Sequence, residues 1–227
     1  MNIMVVAAHP DDEVLGCGGT LTALAKENNV IVGVLGEGAT SREQDRADTP
    51  TSAIGELQDQ ARTAASILGV SEVVFGGLPD NRFDNLPLLE IVKIVEGWVE
   101  RFEPEVIYTH SSGDLNIDHT LAFRAVLTAT RPVEGSSVRD LYSFEVVSST
   151  EWAFQALSPA FVPNTFVDIS TTIEQKISAL EAYRGEIRTF PHPRSVDNLR
   201  ATAQKWGAAS GFGYAEAFQL IRSIRSV

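Results

Sequence analysis

Cysteine is almost missing from this sequence: Cys17 is the single one in 227 residues. An intramolecular disulfide is therefore excluded, and the count fits a reducing compartment, so a cytoplasmic protein is expected. Positive charge is also scarce. Eighteen Lys and Arg stand against 30 Asp and Glu, a formal net charge of −12. A field of that sign repels phosphate backbones and anionic lipid surfaces, which argues against a nucleic-acid or membrane-surface partner. No apolar run approaches the roughly 18 residues of a bilayer-spanning helix, so no membrane insertion is expected. The opening MNIMVVAAHPDDE has no basic n-region and does not read as a signal peptide. Two site signatures are missing too. There is no Gly-x-Ser-x-Gly elbow of a serine hydrolase. Gly16, Gly18 and Gly19 lack the Gly-x-Gly-x-x-Gly spacing of a dinucleotide site, and the aspartates before them would repel a pyrophosphate.

What remains is an ordinary globular composition, 44% hydrophobic and 21% charged, at a length that fits one domain over residues 1–227. Residues 3–8 and 30–35 are β-branched apolar runs that suit buried strands. Helical spacing follows each, over 14–28 and 52–68, and Gly69 stands where a helix C-cap belongs. Strands at 70–75 and 106–109 and helices at 86–102 and 117–129 continue the alternation. Four strand–helix units before residue 130 predict an α/β fold, a mostly parallel sheet with helices on both faces. Residues 131–227 read as a smaller extension of the same domain. Strands are expected there at 141–147 and 165–169, and helices at 171–184, 196–206 and 216–225.

In open α/β sheets ligands bind beyond the carboxyl ends of the strands. His9-Pro10-Asp11-Asp12-Glu13 follows the first strand, and His110 to His119 follows the fourth; three of the four histidines lie in these two loops. So many carboxylates after a buried strand are costly unless a positive group compensates them, and a metal ion would. His9 and Asp12 supply two ligands, His119 a third, and Asp11 stays free as a base for metal-activated water. Zinc suits that donor set, and iron(II) accepts the same two-His-one-carboxylate triad. Ordinary roles compete. Asp11 or Asp12 can N-cap the helix beginning near residue 14, Asp118 the helix after it, and most histidines are not ligands. The coincidence at two strand ends is what favours a metal. Cys17 reads as a small buried residue beneath the site, and Trp98, Trp152 and Trp206 as core or interface.

Ala8-His9-Pro10-Asp11-Asp12-Glu13 resembles the signature of the PIG-L (LmbE-like) zinc-dependent N-deacetylases. The Asp-His pair in Gly113-Asp114-Leu115-Asn116-Ile117-Asp118-His119 resembles that family's second block. The likeness runs on through Pro191-His192-Pro193-Arg194-Ser195 to Ala215-Glu216-Ala217-Phe218. It implies a Rossmann-like fold that hydrolyses an N-acetyl group, usually on a glucosamine-type sugar, with zinc on His9, Asp12 and His119 and Asp11 as general base. Some members carry a second His three residues before the ligand His, where this chain has Asn116. An amide can donate to an oxyanion but cannot protonate a leaving amine. His192, in a loop stiffened by two prolines, and Asp11 itself are the candidates for that proton. Arg42, Asp80 and Asn81 resemble sugar-contacting positions, and His110 and Asp114 are candidates to orient a ligand. The expectation is a zinc-dependent deacetylase of a small-molecule N-acetylated amino sugar or its conjugate. The alternatives are a non-catalytic sugar- or nucleotide-binding module and a metal-dependent hydrolase of another bond. Trp152 and Phe154, within 133–163, suit a lid or a homo-oligomer contact.

Overall fold

The N-terminal apolar run forms β1 (Asn2–Ala7), and it needs no polar alternation because both of its faces are buried. Ile3, Val5 and Ala7 enter one hydrophobic layer, Met4, Val6 and Ala8 the other. β2 (Asn29–Gly36) divides the same way, with Val30, Val32 and Val34 on the first side and Ile31 and Leu35 on the second. These strands belong to a computed structural model that describes residues 1–40 and 50–225. Arg42 lies outside the described residues.

The other elements are α1 (Asp12–Leu24), α2 (Thr51–Leu68), β3 (Glu72–Leu78), α3 (Leu88–Phe102), β4 (Val106–His110) and α4 (Ile117–Ala129). After them come β5 (Asp140–Phe144), β6 (Thr165–Asp168), α5 (Ile173–Ala182), α6 (Val196–Ser210) and β7 (Ala215–Ser223). The sheet has the order β3-β2-β1-β4-β5-β7-β6. The first five strands in that order run parallel, and β7 is antiparallel to both of its neighbours. Leu21, Leu57, Ala61, Leu68 and Leu180 of α1, α2 and α5 cover one face. Ile91, Val95, Ala122 and Val126 of α3 and α4 cover the other, with Trp98 in that layer. The mostly parallel α/β sheet expected from the sequence is the fold observed.

Two details differ from the sequence reading. Residues 216–225 are rich in helix formers, yet Ala215–Ser223 is a strand. Its apolar Ala215, Ala217 and Phe218 are buried between β5 and β6, and that pairing overrides local propensity. α1 starts two residues earlier than expected and breaks at Cys17 (φ −146°). The glycines around the break admit close neighbours: a Cβ on Gly16 would stand 2.3 Å from the Phe144 ring, and one on Gly19 2.8 Å from Ile169. Cys17 itself is fully buried, as expected.

The order places β1 beside β4, and the chain leaves β1 toward β2 but leaves β4 toward β5, in opposite directions along the sheet. The resulting crevice opens at the carboxyl ends of β1 and β4, the switch point of the sheet.

Candidate active site

β1 and β4 pair in parallel with Val6 opposite Thr109, so the residues after both strands leave the sheet side by side. His110 joins the two loops directly, its Nε2 accepting the Ala8 N–H at 2.8 Å. The next residues turn sharply. Asp11 stands at the N-cap position of α1 with a left-handed backbone (φ 97°) and makes no side-chain cap. Asp12 opens the helix and turns its Oδ2 back to accept the His9 N–H at 2.8 Å. At α4 the cap is Asn116, whose Oδ1 accepts the Asp118 N–H at 2.9 Å. Capping by Asp11 or Asp118 is therefore corrected, and both carboxylates are released for other work.

Asp12 Oδ2 is the focus of the cluster. His9 Nδ1 and His119 Nε2 each stand 3.4 Å from it, as does His110 Nε2. Each of the first two imidazoles is backed by a carboxylate on its other nitrogen. His9 Nε2 is 2.9 Å from Asp118 Oδ2 and 3.1 Å from Asp80 Oδ1. His119 Nδ1 is 3.1 Å from Asp114 Oδ1. The backing carboxylates are themselves fixed. Asp118 Oδ1 accepts the Phe83 N–H at 3.0 Å, and Asp114 accepts from Thr150, from Ser149 and from the Asn116 N–H.

The electrostatics follow from this packing. Burial drives His9 toward its neutral form, but Asp118, Asp12 and Asp80 outweigh it and hold its pKa well above the ordinary value. For His119 burial is outweighed by Asp12 and Asp114, and the pKa rises to about 9. His110 falls to about 3, chiefly through burial and the neighbouring His119. Its Nε2 is an acceptor, so the ring is neutral with the proton on Nδ1. Asp12 is held well below the usual carboxylate range: burial opposes ionisation, but His119, with His9 beside it, prevails. Asp11 is raised by burial beyond what Arg194 offsets.

The donor set fits a metal ion. Donor atoms of His9, Asp12 and His119 lie within 4.8 Å of one another, and all three residues are buried. Tetrahedral ligands about 2.0–2.1 Å from zinc stand roughly 3.3–3.4 Å apart, which matches the two 3.4 Å separations to Asp12. Asp12 Oδ1 is buried and has no hydrogen-bond partner among the described residues, a loss that a cation would relieve. With Asp118 against His9 Nε2 and Asp114 3.1 Å from His119 Nδ1, His9 Nδ1 and His119 Nε2 are the nitrogens turned toward Asp12, and they coordinate once they give up their protons. A second group, His9 with Asp80 and Asp118, uses the same ring, and its contacts on Nε2 orient His9.

A cleft of about 200 Å³ opens over this cluster. His9, Asp11, His119, Asp80, Asn81 and Asn116 all line it. Asn116 Nδ2 donates to Asn81 Oδ1, and Asn81 Nδ2 to Asp80 Oδ1. His192 is not part of that lining: its Nδ1 accepts the Arg194 N–H, and its ring meets Trp152 edge-on at 5.9 Å. Arg194, two residues on, lines the cleft together with Glu186, Ser148 and Ser149. Sequence reasoning missed these four, and with them Asp118 as the partner of His9. The only signal was proximity, Asp118 beside His119 and Arg194 beside His192.

A family profile described as PIG-L, GlcNAc-PI de-N-acetylase, matches residues 4–130. The crystal structure of the conserved protein TT1542 from Thermus thermophilus superposes with a TM-score of 0.75 at 28% identity, covering 99% of this chain and 96% of that one. Diacetylchitobiose deacetylase from Thermococcus kodakarensis is 22% identical over 227 residues, 98% of this chain and 84% of its own. The 4-oxalmesaconate hydratase of Pseudomonas putida is 26% identical over 233 residues, 96% of this chain and 88% of its own.

Proposed function

The chain belongs to the PIG-L (GlcNAc-PI de-N-acetylase) family of deacetylases, and from that premise we propose that it is a metal-dependent hydrolase removing an N-acetyl group from a GlcNAc-type amino sugar or its small conjugate. One observation carries the reading: His9 Nδ1 and His119 Nε2 converge at 3.4 Å on Asp12, whose Oδ1 has no partner among the described residues. Zinc, or iron(II), bound by those three residues would polarise the amide carbonyl and acidify water. Asp11 lines the cleft beside that set and takes the proton of the attacking water. Asn116 spends one amide N–H on Asn81 and has a second for the developing oxyanion. Neither Asn116 nor His192 supplies the leaving amine with a proton, so Asp11 returns the one it took as the C–N bond breaks. Acetate and a free amine leave.

Asp80 and Asn81 face the cleft where sugar hydroxyls would lie, and Arg42 is proposed as a further substrate contact. The cleft is small beside the roughly 300–1,000 Å³ of drug-sized pockets, which favours one sugar unit. We take residues 1–227 as one domain, placed in the cytoplasm, with self-association through 133–163 open to test. No helix among the described residues is long and apolar enough to cross a membrane.

The hydratase relative favours a second reading, addition of water to a double bond. Among the described residues the cleft carries Asp11, Asp80 and Glu186 against the single cation Arg194, besides its histidines. That balance disfavours a carboxylate-bearing substrate such as 4-oxalmesaconate. The test is metal analysis of the purified protein beside His119→Ala, followed by acetate release from N-acetylglucosamine and its glycosides. About one zinc or iron per chain, absent from the variant, with acetate released, is expected of such a site. No metal, even after titration, would end the hydrolase reading; metal without acetate release, but with hydration of 4-oxalmesaconate, would establish the second.

A further inference from the structure

Asp11 is held from two sides, and residues 183–194, beyond the stretch that the family profile matches, supply one hold directly and back the other through Glu13. On the side chain, Arg194 Nη1 donates to Asp11 Oδ2 at 2.7 Å. The same nitrogen donates to Glu186 Oε2 at 2.8 Å, and Nε donates to Ser148 Oγ at 2.8 Å. On the main chain, Glu13 Oε2 accepts the Asp11 N–H at 3.1 Å. Tyr183 Oη donates to the other oxygen of Glu13 at 2.6 Å. Asp11 needs such holds, because its φ of 97° is one that a non-glycine residue keeps only where its surroundings enforce it.

We propose that Arg194 is a positioning residue for the general base, fixing the Asp11 carboxylate beside the His9–Asp12–His119 donor set, with Glu186 and Ser148 fixing the guanidinium in turn. The inference rests on the deacetylase reading above. An arginine in a cleft can instead anchor an anionic substrate. Here, however, one guanidinium faces two carboxylates, so the group has no net positive charge left to offer. Its side chain is only 22% exposed. Arginine is required because Nε and Nη1 serve separate acceptors at fixed angles, which a single ammonium does not reproduce. His192 takes part through this residue, its Nδ1 accepting the Arg194 N–H at 3.1 Å.

The test compares wild type with Arg194→Ala and Arg194→Lys. Metal content, kcat and KM are measured on the N-acetyl substrate that wild type cleaves. Carbodiimide-driven amide labelling of Asp11 is read by mass spectrometry. Metal content should hold. The kcat of the Ala variant should fall about 100-fold, the usual cost of a misplaced catalytic group. Its KM should stay within about twofold, because a group that acts only on the transition state leaves substrate binding alone. Added guanidinium should restore part of kcat, the Lys variant should fall between, and Asp11 labelling should rise. A raised KM with kcat retained would make Arg194 a substrate anchor and overturn the proposal, as would unchanged kcat with unchanged labelling. If the Ala variant does not fold, the Lys variant decides by the same split between kcat and KM. If wild type releases acetate from no substrate, the deacetylase reading fails, and the labelling alone still decides whether Arg194 holds Asp11.

Discussion

Replacing Asp118 with asparagine isolates what this carboxylate does for His9. Asp118 is fully buried, its Oδ1 accepting the Phe83 N–H at 3.0 Å and its Oδ2 facing His9 Nε2 at 2.9 Å. Asparagine keeps an oxygen for Phe83, so the local fold should survive. It also puts an NH2 group where an acceptor stood. His9 can answer by moving its proton to Nδ1, the nitrogen that faces Asp12 at 3.4 Å, and that tautomer cannot coordinate. If the amide flips instead, its NH2 opposes the Phe83 N–H. Both outcomes forfeit a charge-assisted hydrogen bond of about 1.5–3 kcal/mol. At about 1.4 kcal/mol per tenfold, zinc affinity should weaken roughly 10- to 100-fold. Competition against a chromophoric chelator at fixed pH measures it, and circular dichroism of the metal-free variant confirms the fold. An affinity within about threefold of wild type would refute the argument that Asp118 sets the His9 tautomer.

Asp11→Asn should keep its metal and lose about 10²- to 10⁴-fold in kcat, whereas Asp12→Ala should lose metal and turnover together; full metal occupancy in Asp12→Ala would break the ligand assignment. Metal binding should release protons at pH 7. His119 is held at about 9 because Asp12 and Asp114 outweigh burial, and His9 is raised by Asp118, Asp12 and Asp80 against burial. Both rings therefore carry a proton that the metal must displace. The sign is that affinity falls as pH falls, by roughly tenfold per pH unit for each proton displaced. Calorimetry in two buffers of different ionisation enthalpy counts the protons, and a count of zero would contradict the geometry. Glu216 is buried and accepts from Lys176 Nζ at 2.6 Å and from the Gly19 and Thr20 N–H groups at 3.0 and 2.7 Å. Glu216→Ala should cost about 3–5 kcal/mol, lowering Tm by about 6 °C or more; a fall below about 2 °C would mean that α1 does not depend on this carboxylate.

β1 and β2 were legible because burial on both faces leaves a mark that needs no partner, a run of β-branched and other apolar residues. β7 left no such mark. Ala215-Glu216-Ala217-Phe218 is helical by propensity and becomes a strand only through β5 and β6. In the site, His9, Asp12 and His119 were readable because strand ends are where open α/β sheets place ligands. Asp118 was not, since an aspartate at the second position of a helix resembles a cap until Asn116 is seen capping instead. His192 drew notice as an imidazole between prolines, but it is Arg194 that lines the cleft. Tyr183 gave no signal at all: it reaches Glu13 across 170 residues of sequence.

These illegible contacts form one physical path. β7 carries Glu216, which grips the backbone of α1 at Gly19 and Thr20 and draws Lys176 of α5 into the same buried site. Lys176 Nζ also donates to Leu15 O at 2.8 Å, so α5 is tied to α1 at a second point. With α5 docked there, its C-terminal end delivers Tyr183 to Glu13, and Glu13 accepts from the left-handed Asp11 backbone. The loop that follows returns Arg194 to the Asp11 carboxylate. Metal-type donors thus arise from the strand ends of the parallel core, while the carboxylate beside them is set by chain added after it. A Rossmann-like core of this kind can present ligands by itself, but a non-glycine residue at φ 97° has to be held from outside its own turn. The segment after β6 provides that hold, which is why its contacts converge on Asp11 rather than on the histidines.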